Sequence, residues 1–169
     1  MATPEQIAEL PLAIREHHQL NGNFCAVSRF ECIAKLHGLL ARDAFPLQSD
    51  ATNEHKGFEP AHYAYLTERG FVCSDQHFGT GIAAAQIIQQ ETDAGRFPLA
   101  SIPWDKGGGW GYHVFLFARY EDHVLWIDPA EPCVMLRGID QIPVALENNR
   151  TGNPLGRRTI HLLTYTRPN

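Results

Sequence analysis

The segment GYHVFLFARYEDHVLWID, residues 111–128, decides the fold of the later half of the chain. It holds two runs of β-branched and aromatic residues separated by the polar pair Glu121-Asp122, a pattern typical of a β-hairpin. Side chains alternate between the two faces of a strand, and residues paired across strands share a face. The pattern therefore predicts that His113 and Asp128 lie near each other at the open end of the hairpin.

Two turn positions are compatible with this hairpin. A turn at residues 121–122 pairs His113 with Ala130 and leaves it one diagonal step from Asp128. A turn at residues 120–121 pairs His113 with Asp128 directly, whereas a slip by a single residue would separate them. In both registers the face that carries the pair also carries an apolar floor of Phe115, Phe117, Val124 and Trp126.

The helical part of the chain precedes the strands. Thr3, Pro4 and Gln6 have the pattern of a capped helix start, and a helix is predicted to run to about His18 with an interruption at Pro11. Further helices are predicted at 25–40, 61–69 and 80–94, strands at 71–73, 97–104, 111–120, 123–128, 133–136 and 159–166, and an ambiguous segment at 139–147. Helices followed by strands indicate an α+β fold with a mainly antiparallel sheet.

The helix predicted from Cys25 to Leu40 has the spacing of a helix packed against the body of the protein. Its apolar residues recur on one broad stripe, and Asn23 is the expected N-cap. The polar residues Ser28, Arg29, Glu31 and Lys35 are expected mostly on the opposite side.

Composition limits the class of protein. A length of 169 residues fits one domain, 1–169, and a net charge of −5 with interspersed acids and bases argues against a nucleic-acid partner. No apolar run reaches the ~18–20 residues that cross a bilayer, so no membrane partner is expected. Residues 1–20 lack the pattern of a secretory signal, which predicts a cytoplasmic protein or export by a route independent of a signal peptide.

The cysteines predict free thiols. The four of them, Cys25, Cys32, Cys73 and Cys133, are scattered, and no pair has CxxC spacing. Cys73 and His77 give only a weak metal-binding signal, so neither a metal site nor a cofactor is predicted.

Candidate catalytic residues stand at the edges of these elements. Cys25 opens a predicted helix, whose positive N-terminal end favours a thiolate. His113 and Asp128 supply a base and a carboxylate that orients it, with His161 as a second candidate for the base. Gln19, six residues before Cys25, has a side-chain amide able to donate to an oxyanion.

In this order and spacing the residues resemble the papain-like cysteine peptidases, and most closely the small bacterial peptidases of the bacteriocin-processing, double-glycine type. The motifs of the resemblance lie between residues 19 and 129: Gln19, Cys25-Ala26-Val27, Gly95-Arg96-Phe97-Pro98, Gly111-Tyr112-His113-Val114 and Ile127-Asp128-Pro129. The resemblance implies a Cys-bearing helical part packed on the sheet, with the cleft between them.

The same resemblance implies roles for the residues. Cys25 would be the nucleophile, His113 the general base and Asp128 its orienter, while Gln19 and the Cys25 amide would form the oxyanion hole. The activity implied is cleavage of an amide bond in a peptide or protein, in a processing enzyme or a bacterial effector or toxin, with no cofactor.

Two departures from the family pattern leave alternatives open. Ala26 replaces the usual glycine after the nucleophile, and Phe24 precedes it, where it would contact substrate and narrow access to the thiol. Trp110, in a glycine-rich loop beside His113, is also expected at the cleft. The alternatives are an acyl or aminoacyl transferase with the same triad, and a catalytically inactive, peptidase-like binding module.

Overall fold

The computed structural model describes residues 1–105, 109–130, 134–156 and 159–168. The α-helices are α1 Pro4–Ala8, α2 Leu12–Glu16, α3 Cys25–Leu36, α4 Ala64–Thr67, α5 Gly81–Asp93 and α6 Ile142–Gly152. The strands are β1 Val72–Phe78, β2 Leu99–Asp105, β3 Trp110–Tyr120, β4 His123–Ile127, β5 Val134–Gly138 and β6 Ile160–Thr166. Short 3₁₀ helices occupy Ala51–Asn53 and Ile139–Gln141.

All six strands form one sheet in the order β1-β6-β2-β3-β4-β5, and every neighbouring pair is antiparallel. The predicted α+β class with a mainly antiparallel sheet is therefore confirmed. The last strand along the chain, β6, lies between β1 and β2, so the sheet is not a simple meander.

The β3–β4 hairpin adopts the first of the two predicted registers. Tyr120 pairs with His123, and Leu116 pairs with Ile127 at the far end. Glu121 supplies the positive φ of 48° that the tight turn needs. The pairing of β3 with β4 ends at Leu116 and Ile127, so the two strands separate just before His113 and Asp128.

Two apolar clusters cover the two faces of the sheet. One joins α3 and its neighbouring helices to Val114, Leu116, Leu125 and Ile127. The other joins α5 and α6 to the predicted floor of Phe115, Phe117, Val124 and Trp126. Successive side chains of β3 and β4 point to opposite faces of the sheet, so alternate residues belong to the two clusters.

The ends of α3 differ from the prediction. The helix stops at Leu36 rather than Leu40, and its N-cap is Phe24, whose side chain makes no capping hydrogen bond. The Asn23 side chain instead donates to Glu54 at 3.2 Å, so it serves the following loop and not the helix start.

The side of α3 opposite the apolar stripe is also largely buried. Ser28, Arg29 and Glu31 are all 1% exposed or less. Glu31 accepts hydrogen bonds from the backbone N–H groups of Leu47 and Gln48, at 2.7 and 3.1 Å, so the loop that follows the helix covers this side. A buried carboxylate is stable there because its oxygens are hydrogen-bonded.

Two other segments extend further than predicted. β1 has seven residues rather than the expected three, because its polar residues Ser74 to His77 pair along their whole length with β6. The ambiguous segment is helix α6, which accommodates Pro143 in its first turn, where a proline costs no hydrogen bond. Cys133, the predicted start of a strand, lies outside the described residues.

Within the described parts of the chain, none of the helices has both the length and the apolar character needed to cross a membrane.

Candidate active site

Cys25 is the first residue of α3, and the residue is partly exposed. It lines a cavity of about 520 Å³ between the helix and the sheet. The other walls come from the loop around Phe58 and from Ser101, Tyr112 and His161 on the strands. A thiol at a helix start and in the wall of a cavity is accessible to a molecule that enters the cavity.

His113 and Asp128 form a short hydrogen-bonded pair. The Nε2 atom of His113 lies 2.7 Å from Oδ1 of Asp128. The same oxygen accepts from the backbone N–H of Ala130, also at 2.7 Å, which fixes the carboxylate. The imidazole is 4% exposed and packs edge-on against Phe115, with ring centroids 4.9 Å apart. Position and orientation of the ring are therefore both determined by the fold.

The environment of His113 favours its charged form. Burial alone lowers the pKa of His113, but the hydrogen bond to Asp128 and the nearby Cys25 thiol outweigh it, and the pKa is raised above its ordinary value. For Asp128, burial opposes ionisation, yet the bonds from His113 and Ala130 hold the pKa of the carboxyl below its usual range. The two groups thus stabilise each other as an ion pair.

The Cys25 thiol lies near the His113 imidazole. It is close enough to raise the pKa of His113 through hydrogen bonding and charge, while Nδ1 has no partner of regular hydrogen-bond geometry in the part of the chain that the structure describes. A close but poorly aligned contact is common in enzymes without substrate and tightens when substrate binds.

Arg29 is a buried cation that the sequence did not reveal as part of this site. It stands one turn after Cys25 on α3, is 1% exposed and donates from Nη2 to the backbone oxygen of Ile127 at 3.3 Å. Its charge helps to lower the pKa of Asp128. In the sequence only the i, i+4 spacing from Cys25 links Arg29 to the site, and the pattern places Arg29 on the helix side opposite the apolar stripe.

Gln19 lies beside the segment that follows Asp128. Its backbone N–H donates to the oxygen of Pro129 at 2.8 Å, and the residue is 8% exposed. Among the described residues its side-chain oxygen has no hydrogen-bond partner. The structure thus brings Gln19, Cys25, His113 and Asp128 into one region of the molecule.

The structure places Phe24 and Trp110, both expected to contact substrate at the cleft, in two different environments. Phe24 is 4% exposed and belongs to the apolar cluster on the α3 side, so its ring serves the core. Trp110 begins β3 and pairs with Asp105, next to the undescribed residues 106–108. His161, the second candidate for the base, lines the cavity but stacks on His77 and lies 3.5 Å from Asp75.

No protein-family model matches this chain, and no curated protein matches it either. The chemistry of the site is therefore argued from its own geometry. The site combines a thiol, an imidazole near it and a carboxylate hydrogen-bonded to that imidazole. These three groups can together activate a nucleophile.

Proposed function

We propose that this chain is a cysteine-dependent hydrolase of papain-like type that cleaves an amide bond in a peptide or protein. The observation that carries the proposal is the position of His113, which is hydrogen-bonded through Nε2 to Asp128 and lies near the Cys25 thiol. Because the carboxylate occupies Nε2, the other ring nitrogen is left to exchange a proton with sulfur.

The proposed reaction begins when His113 takes the proton of the Cys25 thiol. The thiolate attacks the acyl carbon, and the carbon–sulfur bond forms as the carbonyl oxygen becomes an oxyanion. The backbone N–H of Cys25 and the side-chain amide of Gln19 would donate to this oxyanion. The imidazolium then protonates the leaving nitrogen as the carbon–nitrogen bond breaks, and water, deprotonated by His113, displaces the sulfur and regenerates the thiol.

The electrostatics support an ion pair between sulfur and imidazole. The pKa of His113 is raised, which means that the imidazolium form is favoured. Cys25 is the first residue of α3, so the partial positive charge of the helix N-terminus lies near the sulfur and favours the thiolate. The departures at Phe24 and Ala26 do not weaken the proposal, since both side chains are at most 4% exposed and belong to the core rather than to the cavity wall.

Selective alkylation tests the proposal. Iodoacetamide at pH 6 to 7, followed by peptide mass mapping, should label Cys25 and leave Cys73 unmodified, because burial raises the pKa of Cys73 to about 11 and keeps it a thiol. His113→Ala should remove the preference for Cys25, and Cys73→Ser should leave it unchanged. Equal labelling of Cys25 in the native chain and in His113→Ala would contradict the proposal.

Turnover distinguishes hydrolysis from transfer. A peptide library incubated with the native chain should yield cleaved products, and Cys25→Ala should yield none while retaining its circular dichroism spectrum. A hydrolase should release the free carboxylic acid in water alone, whereas a transferase should form product only when an amine acceptor is added. Preferential labelling of Cys25 without any product from either experiment would leave the inactive binding module as the better assignment.

A further inference from the structure

A second group of polar side chains lies on β1 and β6, and two of its members, His77 and His161, line the same cavity. Asp75 and His77 are two residues apart on β1 and therefore share a face of the sheet. His161 on β6 pairs directly with His77 across the two strands. The three side chains thus meet on one face, although the chain segments that carry them are far apart in sequence.

The geometry of this cluster is compact. One nitrogen from each imidazole and one oxygen of Asp75 all lie within 4.8 Å of one another. The imidazole rings stack with centroids 3.8 Å apart. The Nε2 atom of His161 is buried and lies 3.5 Å from Oδ1 of Asp75, yet forms no aligned hydrogen bond with any described group. A buried ring nitrogen without an aligned partner is a position at which a ligand would relieve the cost of burial.

The carboxylate of Asp75 is oriented by a further residue. The hydroxyl of Tyr63 donates to Oδ2, which leaves Oδ1 directed towards His161. An outer hydrogen bond that fixes a carboxylate is the usual companion of a ligating one.

We propose that Asp75, His77 and His161 form a binding site for a divalent transition-metal ion of the Zn²⁺ kind. Two imidazoles and one carboxylate are the protein ligands of many open zinc sites and of the 2-His-1-carboxylate sites. Ligand atoms of a tetrahedral zinc ion are about 3.3–3.5 Å apart, so binding requires the three ligand atoms, now within 4.8 Å of one another, to move closer and the stacked rings to reorient. The ion binds in the plane of each imidazole, and its arrival therefore tilts the two stacked rings away from each other.

Three protein ligands leave one coordination position open. His77 and His161 both line the cavity that holds Cys25, so this position faces the same space as the proposed nucleophile. A bound ion there would act as an anchor for a carboxylate or carbonyl oxygen of a molecule in the cavity. The site does not depend on the proposed hydrolase activity, because none of its ligands belongs to the triad.

Metal titration of the full chain tests the site. Cys25→Ala is used as the background, so that the thiol in the cavity cannot bind the metal. Titration calorimetry with Zn²⁺ should give one ion per chain, and Co²⁺ should give visible d–d absorption without the near-ultraviolet band of a cobalt–thiolate bond. His77→Ala, at an exposed position on β1, and Asp75→Asn should each weaken binding at least about tenfold, the range typical of altered metal sites.

His123→Ala is the matched control, because this histidine lies in the β3–β4 turn outside the cluster, and it should bind the metal like the background chain. Absence of one-to-one binding at about 1 mM metal would overturn the proposal. Binding unchanged in His77→Ala would overturn it as well, and so would a cobalt–thiolate band, which would place the ion on a cysteine. Tyr63→Phe adds an independent readout, since it retains all three ligands and should weaken binding by releasing Asp75.

Discussion

Replacement of Asp128 by Asn removes a charge from His113 while keeping the shape of the side chain. The carboxylate is 19% exposed and the imidazole 5%, so their interaction is only weakly screened by water. A hydrogen bond to a charged group contributes about 1.5–3 kcal/mol. At 1.36 kcal/mol for each factor of ten, its loss lowers the equilibrium constant for the thiolate–imidazolium pair by about 10- to 150-fold.

The effect depends on pH in a defined direction. Asp128→Asn lowers the pKa of His113, because the group that raises it most is gone. The Cys25 thiolate then forms less readily at acid pH. Alkylation of Cys25 at pH 6 should therefore be slower in the variant, by up to the factor of about 10 to 150 given above. Well above the ordinary thiol pKa of about 8.5 the sulfur ionises without help from the imidazole, and the two rates should converge.

The assay is the second-order rate of iodoacetamide modification of Cys25 between pH 5 and 10. Asp93→Asn is the matched control, since its carboxylate pairs with Arg119 on the surface at 3.1 Å and should leave the profile unchanged. Superimposable profiles for Asp128→Asn and the native chain would refute the reasoning that the carboxylate stabilises the imidazolium.

Two further predictions concern stability. A Cβ at Gly81 would lie 2.4 Å from the backbone oxygen of Pro143, so Gly81→Ala should force α5 and α6 apart. The free energy of unfolding, measured in urea, should fall by about 1–3 kcal/mol. Gly79→Ala is the control, because a Cβ there would meet no atom within 4 Å. Burial lowers the pKa of His17, so the folded chain binds fewer protons than the unfolded chain, and stability should fall as pH drops below about 6.5. His17→Asn should flatten that dependence, and an unchanged pH slope of the melting temperature would contradict this account.

The β3–β4 hairpin shows how much of this fold local sequence can predict. Alternating apolar residues and a polar turn define both strands, and the observed register is one of the two derived from the turn alone. His113 and Asp128 come together at the open end of the same hairpin, beyond its last paired residues. The local sequence pattern therefore predicts the His113–Asp128 part of the candidate site.

The parts that sequence reasoning missed depend on partners far along the chain. Arg29 and Glu31 have the spacing of an exposed helix side, and only the distant strand β4 and the loop at Leu47 bury them. Likewise the polar residues of β1 lack the apolar alternation that predicts a strand. They form one because they pair with β6, which lies far along the chain. Asp75 and His161 could not be linked without that pairing.

The insertion of β6 between β1 and β2 has a consequence for the order in which the molecule is assembled. The triad elements all precede β6, but β1 joins the sheet only through β6. A nascent chain that has emerged from the ribosome up to β5 can therefore bring thiol and imidazole together without the opposite wall of the cavity. The pocket is therefore enclosed only after β6, residues 160–166, has entered the sheet between β1 and β2.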